Sequence, residues 1–297
     1  MASLRSKFYS GLLRIFVKNR DTDLNDIDFV REQMENSPLK KFIGPSTSAN
    51  VETFYIDHLP ADWVGKADSK NVILYFHGGG YIVGSRTTHR SMVRQLCKEA
   101  NCRALLIDYR LAPEHPFPAA LDDAYLVYDW LMAQGYGAEN IFIAGDSAGA
   151  GLTLACLLKL RDEKKPLPRA AGIFSPWTDL TASGDSVKTR DARDPMLSGS
   201  KIPDAAEIYA AGEDLTHPYI SPLFADLTGL PPLFVQVGTE EVLFDDADRL
   251  VKKAKEAGVQ AELEIWQGMP HVHQIAHKLV PEARQALKTM GQFFRQF

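Results

Sequence analysis

The stretch FIAGDSAGAG, Phe142 to Gly151, decides how the rest of the chain is read. The apolar run Ile141–Ala144 gives way to glycine, aspartate, serine and small residues, and the apolar pattern resumes over Leu152–Leu160. A short run rich in Ile and Phe ahead of a longer periodic one predicts a strand that feeds a helix through a sharp corner. Packing gives no reason for a serine at that corner. Gly145–Gly149 fits Gly-x-Ser-x-Gly, the pattern of a strained strand-to-helix turn that lifts a serine hydroxyl clear of a sheet. The first amide of the following helix faces the same space, where the helix dipole favours negative charge. The bland reading of the pentapeptide is a small-residue turn, and its place between a strand and a helix argues against that. Glycines 145, 149 and 151 have the wrong spacing for a dinucleotide-binding Gly-x-Gly-x-x-Gly.

A second signal, YFHGGGYIVGS (75–85), also follows an apolar run. Consecutive glycines expose backbone N–H groups that no Cβ screens, and such a loop can hold an oxyanion. A phosphate loop would want a lysine after the glycines. Tyr81 and Ile82 stand there instead.

Outward from these two loops the chain alternates apolar runs (71–76, 103–109, 140–145, 170–175, 232–238, 261–266) with helical patterns (87–100, 117–134, 147–163, 244–257, 281–296). That rhythm predicts a mostly parallel sheet covered on both faces. VETFYIDHL (51–59) alternates as one half-buried strand, and GPSTSAN (44–50) reads as a turn before it. Residues 180 to 220 show no strand pattern and only a helical hint over 201–211. An insertion of that length exceeds a tight connection and suggests a lid.

At 297 residues the chain is long enough for a sizeable core, and its 45 % hydrophobic and 24 % charged content is ordinary for a globular protein. The net charge of −5 argues against nucleic acid as a partner. The apolar positions Leu12, Leu13, Ile15, Phe16 and Val17 make an amphipathic helix that lies on the protein or a partner, with a membrane-surface anchor as the alternative and no stable insertion. Cys97, Cys102 and Cys156 contain no Cys-x-x-Cys pair and read as the reduced thiols of a cytoplasmic protein, a Cys97–Cys102 bridge being the alternative.

Four blocks together, HGGGYIVGS, DYRLAPEHPFPAALDD (108–123), GDSAGAGLTLA and SPLFADLTGLPPLFVQVGTEEVLFDDA (221–247), give the chain a resemblance to the bacterial esterases of the hormone-sensitive lipase family, within the α/β-hydrolases. The resemblance implies an eight-stranded, mostly parallel sheet with helices on both faces and a helical cap. The cap would comprise residues 1–45 and 181–219, and the core 46–180 and 220–297. It implies Ser147 as nucleophile, Gly79, Gly80 and Ala148 as oxyanion donors, short-chain esters or lactones as substrates, and no cofactor. It also allows a homodimer through a sheet edge. The sequence departs from the family in having Ala150 where a second glycine is commoner, and Glu241 at the position of an aspartate.

A serine hydroxyl needs a base, and the base needs an acid to fix its tautomer. After the run 232–238 stand Glu240, Glu241, Asp245 and Asp246; the family register favours Glu241 over its neighbour Glu240, and the aspartates suit an acidic helix start. The segment QGMPHVHQIAHKL (267–279) offers His271, His273 and His277. His271 matches the family base, His273 is the alternative, and His277 reads as a half-exposed helical histidine. His273 and His277 are four apart, as in some zinc sites, but lack the partner motif of a metal-dependent hydrolase. His77 is expected to order the glycine loop, His115 to be structural, and Asp122 and Asp123 to lie at a helix surface or to cap the helix. Tyr81 and Leu243 flank the catalytic positions and are expected to line the substrate pocket. The rival to an esterase is a non-catalytic ligand-binding protein on the same scaffold.

Overall fold

The computed structural model describes residues 2–19, 26–35 and 51–297. The turn expected at 44–50 and part of the segment 1–45 lie outside the described residues.

The apolar runs become strands β1 (Val51–Ile56), β2 (Leu59–Gly65), β3 (Val72–Phe76), β4 (Arg103–Ile107), β5 (Ile141–Asp146), β6 (Ala170–Phe174), β7 (Leu233–Gly238) and β8 (Ala261–Trp266). They form one eight-stranded sheet in the order β1-β2-β4-β3-β5-β6-β7-β8. The β1–β2 and β2–β4 pairs are antiparallel and the others parallel. β3 shows why the central strands lack simple polar alternation. Val72, Leu74 and Phe76 face one core while Ile73 and Tyr75 face the other, so every side chain is buried.

The expectation for residues 51–59 needs correction. The single strand is a hairpin that turns at Asp57 and His58, with Asp57 at φ +54, and β2 follows at once. Pro60 hides β2 from a propensity reading, because proline lacks the ladder donor. Here Pro60 lies opposite Tyr55 near the turn.

Helices α1 (Leu4–Leu13), α2 (Ile27–Glu35), α3 (Arg86–Ala100), α4 (Ala119–Ala133), α5 (Ala148–Asp162), α6 (Ser186–Thr189), α7 (Ile202–Ala210), α8 (Phe244–Glu256) and α9 (Pro281–Phe294) flank the sheet or precede it. α4, α5 and α8 cover one face; α3 and α9 cover the other. No helix among the described residues is long and apolar enough to cross a membrane. The cysteines are buried and free.

The two irregular regions meet. α1 runs on into a π-turn (Arg14–Lys18) whose Arg14 donates to the carbonyls of Ala192 and Arg193, and whose Lys18 pairs with Asp191 at 2.9 Å. The inner face of α1 places Tyr9 and Leu13 against Met269, Ala276, Val280 and Ala283. Arg31 on α2 bonds the carbonyls of Ile82 and Ala112 and pairs with Glu114 at 2.6 Å. Residues 180–220 contain no strand, and α7 occupies the place of the helical hint at 201–211.

Candidate active site

Ser147 stands between β5 and α5 at φ +53, ψ −120, a backbone conformation costly for any residue with a Cβ. The corner exists because its neighbours are small. A Cβ on Gly149 would strike the carbonyls of Phe76 and His77 at the end of β3. The elbow therefore packs directly on the glycine loop. In that loop Gly79 adopts φ +128, and its carbonyl accepts the N–H groups of Ile82 and Val83 at 3.1 and 3.0 Å. Among the described residues, the N–H groups of Gly79, Gly80 and Ala148 donate to no backbone carbonyl outside regular elements. The last of these opens α5, at the positive end of the helix dipole.

His77 orders the loop as its position suggests. Its Nδ1 lies 2.8 Å from the Gly78 carbonyl, its ring stacks 4.3 Å from Tyr109, and its own carbonyl accepts the Tyr109 hydroxyl at 2.6 Å. Burial pulls its pKa down to about 3, so this ring stays neutral. Beneath the elbow Asp146 is buried, accepting from Tyr75 Oη at 2.7 Å and lying 3.2 Å from His89 Nε2.

The acid and the imidazole come from the ends of β7 and β8. Glu241 and His271 are buried and paired, with Nδ1 2.9 Å from Oε2. Burial pulls the His271 pKa down. The hydrogen bond and the charge of Glu241, helped by Asp194 and Asp146, outweigh it, so the net shift is upward from 6.5. The other Glu241 oxygen, Oε1, accepts the Gly238 N–H and the Ser175 hydroxyl. The Ser147 N–H donates to the Phe174 carbonyl at 3.0 Å, which places the elbow one residue from Ser175. Among the described residues the Ser147 hydroxyl has no hydrogen-bond partner of its own. Contacts of this kind tighten in the substrate complex.

The alternatives separate cleanly. Glu240 pairs with Arg193 at 2.7 Å on the insertion, away from His271. His273 is buried against Trp266, with no well-formed hydrogen bond from either ring nitrogen among the described residues, and burial lowers its pKa to about 3 against the opposing Pro270 backbone. His277 departs from expectation: it is buried at the end of a short 3-10 turn, with Nε2 3.2 Å from Ser91 Oγ, because α3 packs over that turn. No group of three or more His, Cys, Asp or Glu side chains among the described residues is placed to hold a metal. Asp123 also departs from the surface position expected of it. It is buried and forked by Arg110 at 2.7 and 2.9 Å, which ties α4 to the loop after β4. Asp122 and His115 are exposed.

Tyr81 and Leu243 are both buried. Tyr81, at φ +63, stacks face to face on Tyr209 of α7 with centroids 3.7 Å apart. The residue after the glycine loop thus meets the insertion. Two polar residues of the site escaped sequence reasoning. Ser175 follows β6 as Ser147 follows β5, and that shared position past a buried strand was the available signal. Asp194 is buried in the insertion, accepts the N–H groups of Met196 and Leu197, and reaches the Val242 N–H at 2.9 Å beside the acid. Only its tertiary contact marks it.

An elbow serine on a mostly parallel sheet, packed against a glycine loop, together with a buried histidine–carboxylate pair from the ends of two later strands, defines a hydrolase of the α/β class. The family model described as alpha/beta hydrolase fold matches residues 73–275, and the chain belongs to that family, in its bacterial hormone-sensitive-lipase branch. It is similar to an acetyl-hydrolase of Streptomyces hygroscopicus, 45 % identical over 241 residues covering 81 % of each chain. An esterase of Acinetobacter venetianus is 37 % identical over 230 residues, 77 % of this chain and 76 % of that one. A crystal structure of an esterase from the bacterial hormone-sensitive lipase family superposes with a TM-score of 0.94 at 40 % identity, covering 100 % of this chain and 99 % of the other. The structure of EstE5 soaked with p-nitrophenyl butyrate gives 0.91 at 42 % identity, covering 99 % of both chains.

Proposed function

We propose that the chain is a serine carboxylesterase acting through an acyl-enzyme, with Ser147, His271 and Glu241 as its triad. Ser147 Oγ attacks the ester carbonyl carbon while His271 Nε2 takes the hydroxyl proton. The carbonyl π pair moves onto oxygen, and the amides of Gly79, Gly80 and Ala148 receive that charge. Glu241 holds the second ring proton on Nδ1 and stabilises the imidazolium. His271 then hands its proton to the departing alkoxide, the C–O bond breaks, and a water repeats the sequence on the acyl-enzyme. The observation that carries this reading is the buried 2.9 Å His271–Glu241 pair past the ends of β7 and β8, on the same sheet as the elbow.

Residues 2–19, 26–35 and 181–219 act as the cap over the core formed by 51–180 and 220–297. The ties of the π-turn after α1 to residues 191–193 and the stack of Tyr81 on Tyr209 support that division. Tyr81 and Leu243 wall the substrate site. A relative named for acetyl hydrolysis and a neighbour soaked with a butyrate ester favour short acyl chains.

The test is Ser147→Ala. Turnover of p-nitrophenyl butyrate and labelling by a fluorophosphonate probe should both vanish, with the circular dichroism and melting temperature of the wild type retained. A folded variant that still turns over substrate at the wild-type rate refutes the assignment.

A further inference from the structure

Ser175 is the first residue past β6. It is fully buried and held at φ +45. Its N–H donates to the Gln236 carbonyl of β7 at 2.7 Å. Its hydroxyl donates to Glu241 Oε1 at 2.8 Å and accepts the N–H of Val272, the neighbour of His271, at 3.1 Å. The preceding carbonyl, Phe174, accepts the N–H of Ser147. One residue thus touches the acid and the histidine loop and sits one peptide from the elbow.

A hydroxyl has one proton to give and lone pairs to receive. Here the proton goes to the carboxylate and a lone pair takes the backbone of the histidine loop, so both directions are fixed. Alanine would fill the same volume. A buried hydroxyl is costly unless bonded, and these two bonds are what make serine fit the position.

We propose that Ser175 is a positioning residue for the esterase reaction. It pins Glu241 Oε1 so that Oε2 faces His271 Nδ1, and it ties the histidine loop to the same anchor. The inference rests on the Ser147–His271–Glu241 assignment, and Ser175 itself touches no reacting atom.

The experiment is a double-mutant cycle on p-nitrophenyl butyrate hydrolysis. Ser175→Ala removes the hydroxyl. Ser175→Gly removes it too, at a positive φ that glycine adopts without strain, so it reports even where the alanine variant fails to fold. The expected result is a fall in kcat of about 10-fold to about 100-fold, with KM within about twofold of wild type. In a Glu241→Gln background the same substitution should cost less than about twofold more, because both changes act on one orientation. A folded Ser175→Ala or Ser175→Gly variant with wild-type kcat overturns the proposal. So does an equal loss in both backgrounds, or a change confined to KM. Ser147→Ala run alongside separates the two failures. If it is inactive while the Ser175 variants match wild type, only the role of Ser175 falls; if it stays active, the triad assignment falls as well.

Discussion

Replacing Glu241 with glutamine is the most searching perturbation of the proposed triad. Glutamine keeps the shape and removes the charge. Glu241 Oε1 accepts two donors, the Gly238 N–H and the Ser175 hydroxyl, while Oε2 faces His271 Nδ1 at 2.9 Å. An amide has one acceptor oxygen. Two donors hold that oxygen on the Oε1 side, so the NH₂ group turns to the imidazole. Nδ1 then becomes the acceptor, the ring proton moves to Nε2, and the nitrogen facing Ser147 can no longer take its proton. The charge is lost as well. Centres about 4 Å apart in an effective dielectric of about 20 attract by about 4 kcal/mol. At about 1.4 kcal/mol per factor of ten, the imidazolium-like transition state rises enough to slow the reaction about a thousandfold. The assay is kcat/KM for p-nitrophenyl butyrate from about pH 5 to about pH 9, whose acid limb reports the free-enzyme base. The neutral base is the active form, so activity is lost as pH falls through the His271 pKa. In the wild type that limb should lie above 6.5, because Glu241 outweighs burial. In Glu241→Gln burial is left largely unopposed, and the residual limb should lie below it. A variant that keeps more than about a tenth of wild-type kcat, or an acid limb that stays put, refutes the reasoning.

Two further outcomes test the surroundings. Gly79→Ala places a Cβ against the Val83 carbonyl at φ +128, and the displaced loop should lower kcat by about a hundredfold, checked by kinetics on material with a native melting curve. Asp246 is an acid whose folded pKa is raised from 3.8 to about 7, by burial first and by Asp179 nearby, against its bonds from Thr178 and Asp179 and the charge of Arg249. The folded state therefore holds a proton that the unfolded state has released. Stability falls as pH rises from about 4 to about 7, and Asp246→Asn, which keeps the acceptor oxygen, should flatten that slope in urea denaturation at stepped pH.

Much of this architecture was legible because its signals are local. The elbow and the glycine loop are continuous in sequence, and steric rules act between adjacent residues: a turn too tight for side chains must be written in glycine and alanine. The strands β3–β7 showed as buried runs for the same reason, and β8, largely unburied at the sheet margin, through its place in the strand–helix rhythm. β2 escaped because its proline and its hairpin turn contradict propensity, and its pairing to β1 on one side and to β4 on the other makes it a strand. Local reading could not divide Glu241 from Glu240, which differ only in which way a single turn points them. One goes to His271 and the other to Arg193 on the insertion. Asp123 and His277 were misplaced because their burial is imposed by Arg110 and by Ser91, partners remote in the chain or in fold. Ser175 and Asp194 lie at the same limit, since a polar residue's purpose is set by what the tertiary structure brings to it.

The sheet order has a kinetic consequence. Ser147 follows a central strand, whereas Glu241 and His271 hang from the two strands at one margin, and β6 lies between them. A refolding chain can therefore pair β3, β4 and β5 and show much of its secondary structure while remaining inert. On the proposed triad, turnover returns only once β6, β7 and β8 have docked as well, through the long loop closures that slow parallel pairing. Recovered hydrolysis accordingly reports that β5 to β8 are joined, rather than that the sheet has begun to form.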